Sequence, residues 1–451
     1  MANKIKSNKY IQLKKLVKFS SKTWDQKSIF DDYFPYLEIS DIDLITGDIP
    51  FIKSILVQEA PSRAKMIVEN DNIVISTTRP TRGAISLLKG FNSSIIASTG
   101  FSVISKVDER LLNKNALYFL LRQDFTLKQF EQRSSGGNYP AITQEELGNI
   151  IIPLVDSRLQ QEIVDIYNDA YKQKQAKEAE AKELLASIDD YLLAELGITL
   201  PEQDNSLQKR TFITNFSKLT GSRFDPKLYD SNTILGKLAI LNSFYKCIRL
   251  QEIINYSCNG DWGIDEGSGN ETNFRKCLVI RATEFDNSYN LNLDNSRVKY
   301  RLIKKDKLIS MDIQAGDLLI EKSGGSLDQP VGRVAIIEEY LLNSNNLCYS
   351  NFIQKIRVNP ALIYAEYLFC VLKTFHNIKL TDSMQSQTNG IRNLIMNNYF
   401  AQQIPLPPIE KQQEIAAHIS QIRQKAKQLQ EDGASILANA KVQVEQLILG
   451  N

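Results

Sequence analysis

The fold class the sequence predicts is α+β: two copies of one mixed domain, each followed by a long helix. Three observations predict it. IPLVDSRLQQEI at Ile152 to Ile163 returns as IPLPPIEKQQEI at Ile404 to Ile415, with Pro153/Pro405, Leu154/Leu406, Gln161/Gln413 and Glu162/Glu414 all 252 positions apart (405 − 153). Each copy opens a charge-rich stretch whose apolar residues recur at helical spacing. Ahead of each copy, short apolar runs bounded by turn residues are interspersed with helical segments, the signature of mixed strands and helices. A period of this length exceeds the roughly 20 to 50 residues of solenoid units, so it marks a duplicated domain with its connecting helix and a two-fold character inside one chain.

The duplication extends through the first domain, residues 1 to 153. LKKLVKFSSKTW (Leu13 to Trp24) matches LQEIINYSCNGDW (Leu250 to Trp262), placing the only two tryptophans in corresponding positions. YLEISDID (Tyr36 to Asp43) matches VIRATEFD (Val279 to Asp286), NIVIS (Asn72 to Ser76) matches DLLIE (Asp317 to Glu321), and ALYFLL (Ala116 to Leu121) matches AEYLFC (Ala365 to Cys370). The order is the same in both halves, and the separations drift from 237 (250 − 13) to 252 (405 − 153), as loops of unequal length between shared core elements require. NIVIS, SIIAS, FSVIS and NIIIPL read as strands, and NALYFLLRQDFTLKQFEQ reads as a helix.

The central helix, residues 154 to 197, contains no proline or interior glycine from Ser157 to Gly197, and its apolar stripe runs through Ile163, Ile166, Ala170, Leu184, Ile188, Tyr191 and Leu192. Some 40 helical residues span roughly 60 Å, more than one compact domain covers. Gly197, Pro201 and the polar run EQDNSLQKR stop the helix and open a linker over residues 198 to 245. The second domain, residues 246 to 404, repeats the pattern with KCLVI, DLLIE, RVAIIE and NFIQKI as strands and ALIYAEYLFCVLKTF as a helix. The C-terminal helix, residues 405 to 451, carries Ile415, Ile419, Ile422, Ala426, Leu429, Ile436, Leu437, Val444 and Leu447, with Gly433 inside it as a candidate bend. Each helix has one narrow apolar stripe, so burying both against each other predicts an antiparallel, coiled-coil-like rod with a domain at either end.

Composition narrows the function. The chain has 451 residues, is 43% hydrophobic, and carries a net charge of only +2 (54 − 52). No apolar run reaches membrane-spanning length and the N-terminus lacks a signal-peptide core, which predicts a cytoplasmic protein. The five cysteines fall in the second half without a CxxC pair, so buried reduced thiols are expected rather than disulfides or a zinc site. Basic residues cluster at 4 to 27 (Lys4, Lys6, Lys9, Lys14, Lys15, Lys18, Lys22, Lys27) and at 297 to 307 (Arg297, Lys299, Arg301, Lys304, Lys305, Lys307), as phosphate contacts or as solvated faces. Catalytic groups are scarce: two histidines, His376 and His418, stand far apart, and no GxxxxGK[ST] or strand-linked GxGxxG occurs. No cofactor or metal is expected, and binding is favoured over catalysis.

Two loops in each half combine glycine, hydroxyl and positive or amide groups. TTRPTRG (Thr77 to Gly83) offers Arg79, Thr81 and Arg82, and guanidinium groups bind guanine edges bidentately or clamp phosphates. KSGGSLDQPVGR offers Lys322, Ser323, Gly324, Ser326 and Arg333, with glycines that let backbone approach a phosphate. Before each IPL motif stand SSGGNYPAI, with Ser134, Ser135, Gly136 and Asn138, and QSQTNGIRNL, with Gln385, Gln387, Thr388 and Asn389, whose amides suit adenine. Singly each reads as an ordinary surface loop; recurrence at equivalent points of both halves makes them DNA-binding candidates.

With the SGGNYPAIT…IIIPL…QQEI and QTNGIRNL…QIPLPPIEKQQEI strings in view, the chain resembles the specificity subunit of type I restriction-modification enzymes over nearly its whole length. PLPPIEKQQEIA (Pro405 to Ala416) is the most specific marker, and RFDPKLYD (Arg223 to Asp230) is similar to the family's domain-opening motif. The resemblance implies two target recognition domains that read the two parts of a bipartite DNA site, two antiparallel helices that set the spacing, and no catalysis by this chain. It also implies methyltransferase subunits docked on the helices, here at Ile163, Ile166, Leu184, Ile188, Ile415, Ile419, Ile422 and Val444, and a motor and nuclease subunit in the cleaving complex. The first half departs from the pattern: a counterpart of RFDPKLYD falls before residue 1 (223 − 237), so the first domain is expected to lack that segment or borrow its packing. Two alternatives stand beside this. A DNA methyltransferase needs a cofactor loop and a catalytic tetrapeptide that Leu406-Pro407-Pro408-Ile409 only mimics; a helical scaffold would recruit proteins without DNA.

Overall fold

The computed structural model describes residues 10–450 except 27, 203–205, 212, 214, 219–227, 269–270, 287–289, 296, 326–328, 345 and 389–390. The chain divides into two compact units, Met1–Ala179 with Leu429–Asn451, and Glu180–Gln428. Both divisions fall inside long helices, Ser157–Glu195 and Ile409–Leu449. Each unit therefore holds one domain, the root of the helix that follows it and the far end of the other helix.

In the first unit, one sheet has the order Val17–Phe19, Phe101–Val107, Ile73–Ser76, Ile85–Leu87, all neighbours antiparallel. A second sheet has the order Lys53–Leu56, Tyr33–Leu37, Ile95–Ser98, Ala64–Val68, in which Tyr33–Leu37 and Ile95–Ser98 run parallel. Strand alternation explains why the run IVIS is buried throughout. Ile73 and Ile75 face the core shared with the helix Lys114–Leu121 and both long helices, while Val74 and Val103 face the core shared with Leu37, Val68 and Ala97 of the second sheet. The Lys114–Leu121 helix begins where the Asn113 side chain accepts from Asn115 N and Ala116 N. Its C-cap residue, Arg122, donates to the carbonyls of Ile85, Leu44 and Ile45, clamping the 43–49 segment. Gly47 in that segment has φ +78°, and a Cβ there would lie 2.1 Å from the Tyr118 hydroxyl.

The second unit repeats this topology. Its first sheet runs Ile254–Asn259, Ile353–Val358, Leu318–Glu321, Val334–Ile336, and its second Lys299–Lys304, Phe274–Ile280, Leu347–Tyr349, again with one parallel pair. The short antiparallel pair that leads into each IPL motif also recurs, Tyr10–Gln12 with Ile151–Pro153 and Cys247–Arg249 with Gln403–Pro405. Two differences stand out. Among the described residues Ala64–Val68 has no counterpart strand, a helix Lys305–Met311 following Lys299–Lys304 instead. The second unit also has a three-stranded sheet, Ser323–Gly325, Ile391–Leu394, Gln385–Thr388, with only isolated bridges in the matching place of the first.

The missing strand separates the fates of the two tryptophans. Trp24 donates its backbone N–H to Lys65 O (2.7 Å) and is buried against Phe30 and Phe34. Trp262 is half-buried, its ring under the Arg301 guanidinium at 5.0 Å.

Within each unit the two helix segments run antiparallel. In the first, Ile163, Tyr167 and Ala170 share a core with Leu437, Ala440, Val444 and Ile448, and Lys177 pairs with Asp432 at 3.2 Å. Gly433 lies in a continuous helix rather than at a break; a Cβ there would meet Lys174 at an ordinary van der Waals distance of 3.4 Å, so packing does not require the glycine. In the second, Ile188 and Leu192 share a core with Ile415 and Ile419, Lys411 pairs with Glu195 at 2.7 Å, and the His418 ring lies 4.3 Å from that of Tyr191. All five cysteines are free, and burial pushes the Cys277 thiol up to about 11 and those of Cys348 and Cys370 up to about 12, which keeps them protonated and unreactive. Among the described residues no helix is long and apolar enough to cross a membrane. Of RFDPKLYD, Arg223 to Lys227 lie outside the described residues; Asp230 caps the helix Ser231–Leu241 by accepting from Thr233 N at 3.3 Å.

Candidate nucleic-acid interface

In both units the two candidate loops, far apart in sequence, are hydrogen-bonded to each other. In the first, Arg79 N donates to Pro140 O (2.7 Å), Ile142 N to Thr77 O (2.9 Å), and Ser135 and Ala141 exchange backbone bonds at 2.9 and 2.8 Å. Arg79 adopts a left-handed φ of +49°, uncommon for a residue with a Cβ, and Pro80 begins the 3-10 turn that ends at Arg82 before Gly83 at φ +74°. The Arg79 guanidinium lies 4.4 Å over the Tyr139 ring and donates to Asn138 O at 3.4 Å. Stacking uses the face of a guanidinium and leaves its N–H edge directed outward for planar acceptors. Thr81, Arg82, Ser135, Gly136, Asn138 and Tyr139 are exposed around it, whereas Ser134 donates to Phe130 O at 2.6 Å and finishes the preceding helix. Tyr139 was not singled out from sequence; the signal was an aromatic next to proline in a glycine-rich loop.

A cleft of about 420 Å³ opens beside these loops, lined among others by Tyr36, Glu38, Arg63, Arg79, Arg82 and Ser98. The Glu38 carboxylate is half-exposed and fixed by Lys53 at 2.7 Å, which also reaches Asp41 at 3.0 Å. Those two carboxylates raise the Lys53 pKa, so its ammonium stays charged beside them.

In the second unit the zipping is a small sheet. Ser323–Gly325 pairs with Ile391–Leu394, which pairs with Gln385–Thr388, and Leu394 N donates to Lys322 O at 2.8 Å. The Ser323 hydroxyl donates to Asn393 Oδ1 at 2.7 Å, Gly324 takes φ +115°, and the Lys322 ammonium donates to Asn259, with burial lowering its pKa. Arg392, absent from the sequence-based candidates, stands opposite Gln387 and Gly325 in this sheet. Ser326 and Asn389 lie outside the described residues, as do the side chains of Gln387 and Thr388.

Two candidates are placed inside the fold. Arg333 forms a bidentate ion pair with Glu321 at 2.8 and 3.0 Å, both side chains nearly buried, so its guanidinium serves the sheet rather than the surface. Gln385 is buried and donates to Thr381 O at 3.3 Å. The helix positions expected at a partner surface also turn inward. Ile163, Ile188, Ile415, Ile419 and Val444 are fully buried and Ile166 and Ile422 pack on the same cores, while Leu184 is half-buried. One apolar stripe per helix is consumed by packing within the unit, so a partner docking on either helix meets its polar faces.

The basic clusters divide similarly. Lys14 donates to Asn149 at 2.7 Å and Lys22 pairs with Glu69 at 2.6 Å, while Lys15 and Lys18 are exposed and Lys4, Lys6, Lys9 and Lys27 lie outside the described residues. Arg301 is held by Trp262 and Asp265 and Lys305 donates to Thr272 O, leaving Arg297, Lys299 and Lys304 exposed and Lys307 half-buried. His376 is held at Pro330 O (3.1 Å), and burial lowers its pKa. Among the described residues no group of His, Cys, Asp and Glu is arranged to hold a metal ion.

The model of the type I restriction modification DNA specificity domain matches this chain over residues 5–186 and again over 243–433, one match per half. The specificity subunit of the type I restriction enzyme HindI of Haemophilus influenzae is 27% identical over 112 residues, 24% of this chain and 24% of that protein, so the aligned part spans about a quarter of this curated relative. Among solved structures, a chain from work on complex assembly and conformational transition of the type I R-M system superposes with a TM-score of 0.50 at 21% identity, covering 98% of this chain and 96% of that one, which shows the shared fold. The HsdS subunit from Thermoanaerobacter tengcongensis aligns over the same shares at 20% identity with a TM-score of 0.37.

Proposed function

Since the chain belongs to the family of type I restriction modification DNA specificity proteins, we propose that it is the subunit that gives such a system its DNA sequence. Each unit reads one part of a bipartite duplex site with its pair of joined loops, and this chain carries out no chemistry itself. Methyltransferase subunits dock on the polar faces of the two helices and supply the modification, and a motor and nuclease subunit completes the cleaving assembly in the cytoplasm.

The observation that carries this reading is the recurrence of loop pairing. At the same point of both units, two loops are drawn into one edge, offering Arg79 and Arg82 with Ser135 to Tyr139 in the first and Lys322 and Ser323 with the strand of Arg392 in the second. Arginine matches guanine O6 and N7 or a phosphate, lysine neutralises phosphate, and serine and asparagine bond either base edges or backbone. The family's DNA specificity description and the recurrence of this loop pair both support the reading. A helical scaffold would place no such demand on the loops.

The test exchanges residues 246 to 402 for the matching region of a relative and maps the methylated site in cells that carry the partner methyltransferase. One half of the site changes and the other stays. A change in both halves, or in neither, would sink the proposal. Duplex binding by the assembled complex also weakens steeply with salt, as phosphate contacts require, which the scaffold reading does not predict.

A further inference from the structure

Position 38 and its counterpart 281 (38 + 243, the offset of Tyr36 to Val279) make the same backbone turn with opposite charge. Glu38 N donates to Asp41 Oδ2 at 2.8 Å, and Arg281 N donates to Glu284 Oε2 at 2.7 Å, so the 3-10 turns Ile39–Asp41 and Ala282–Glu284 are closed alike. The turn thus forms with a carboxylate or a guanidinium at its first position, and the fold leaves the charge there free to vary. In the second unit the guanidinium folds back onto Glu284 (2.7 Å) and Arg297 O (2.7 Å). In the first, the carboxylate stays half-exposed at a cleft of about 420 Å³ that also holds Arg63, Arg79 and Arg82. One of its oxygens takes Lys53 at 2.7 Å, which fixes its direction.

A fixed carboxylate beside guanidinium groups is complementary to one feature of a base pair. Carboxylates repel phosphates and accept from exocyclic amines, cytosine N4 or adenine N6, while neighbouring arginines bind the acceptors of the same or the adjacent pair. We infer that Glu38 is a specificity-determining residue of the first unit, accepting a hydrogen bond from an exocyclic amino group of one base in the half-site that this unit reads. The inference rests on the DNA-reading role proposed above.

The experiment uses the full chain assembled with its methyltransferase partner and a duplex library randomised across the site. Methylated products are sequenced for the wild type, Glu38→Gln and Glu38→Ala. The glutamine retains an acceptor for the turn but gains a donor; the alanine removes the acceptor. Both relax preference at one and the same base pair of one half-site, by roughly 5- to 100-fold, while preferences elsewhere persist. If the position carried cytosine on the contacted strand, N4 is the donor; if adenine, N6. Two results overturn the inference: an unchanged site, or an equal loss on every sequence, which marks a phosphate or folding effect. A wild-type complex with no sequence preference would instead overturn the DNA-reading role itself.

Discussion

The strand pair Ile73–Ser76 with Phe101–Val107 and the pair Leu318–Glu321 with Ile353–Val358 occupy the same place in the two units and are stabilised by different chemistry. Their registers correspond: Val74 faces Val103 as Leu319 faces Lys355, and Ser76 faces Phe101 as Glu321 faces Ile353. Ahead of each pair, Asn72 accepts from Glu69 N at 3.1 Å, as Asp317 accepts from Gln314 N at 2.9 Å. Beyond that shared bond the first unit's counterparts of Lys355 and Glu321 are the neutral Val103 and Ser76. The second places Lys355 on Asp317 at 2.8 Å with both side chains 0% exposed, adds Arg357 at 2.7 Å, and sets Glu321 against Arg333 where the first has Ser76 and Ala84. The architecture does not need buried ions. Where they exist they form a network, Asp317 taking both Lys355 and Arg357 while Lys355 also donates to Asp312 O at 2.8 Å, and removing the central carboxylate leaves buried cations without a counter-charge.

The largest expected effect breaks that contrast. Asp317→Asn keeps the acceptor for Gln314 but leaves the buried Lys355 ammonium with the Asp312 carbonyl and no carboxylate, and destabilises the second unit by about 3–5 kcal/mol in chemical denaturation. Adding Lys355→Val, copying the first unit, recovers most of the loss; no recovery would show that the two units do not solve the same packing problem. A second effect is read by pH. Burial pushes the Lys373 ammonium down to about 8, against an ordinary value of 10.5. Between those two pH values Lys373 binds a proton in the unfolded chain but not in the folded one, so this residue contributes a rise in stability with pH of roughly 2–3 kcal/mol, against the fall that the buried thiols of Cys277, Cys348 and Cys370 contribute above about pH 9. The stability of wild type minus that of Lys373→Met rises by roughly 2–3 kcal/mol across the window, and a pH-independent difference assigns no such role to Lys373. Among the described residues the first unit buries no lysine, so its stability shows no counterpart. The smallest effect imports charge into the neutral strand pair: Asn72→Asp supplies the counterpart of Asp317 where Val103 stands in place of Lys355, and costs about 1–3 kcal/mol at pH 7. Burial raises the folded pKa of that carboxyl, so the deficit is absent below the ordinary carboxylate range and grows as pH rises through it. An unchanged stability would mean that the strand pair admits water.

The duplicated frame was legible because periodicity and turn chemistry are local. NIVIS, SIIAS, FSVIS, DLLIE and RVAIIE are strands, and both long helices start at the repeated motif. The helix read from NALYFLLRQDFTLKQFEQ is two, Lys114–Leu121 and Asp124–Arg133, parted where Arg122 turns to hold the carbonyls of Leu44, Ile45 and Ile85 from two distant segments. The candidate loops were legible as composition, but not their union, since the bonds from Arg79 to Pro140 and from Leu394 to Lys322 join residues that no local pattern relates. Arg333 looked like Arg82 in sequence, and only the placement of Glu321 separates a sheet-bound guanidinium from an exposed one. The matched tryptophans are correctly paired in sequence yet differ in burial, since among the described residues the strand Ala64–Val68 beside Trp24 stands in the first half alone.

The first unit closes its core with Leu437, Ala440, Val444 and Ile448, which follow Ala170 by at least 267 residues (437 − 170). A ribosome adding roughly 5–20 residues per second delivers them some 13 to 50 seconds after the rest of that core has emerged. Throughout that interval the stripe of Ile163, Tyr167 and Ala170 lacks its cover, although the domain ahead of it has been synthesised. The half made first is therefore the half finished last, and truncating a few residues from the C-terminus injures the N-terminal reader.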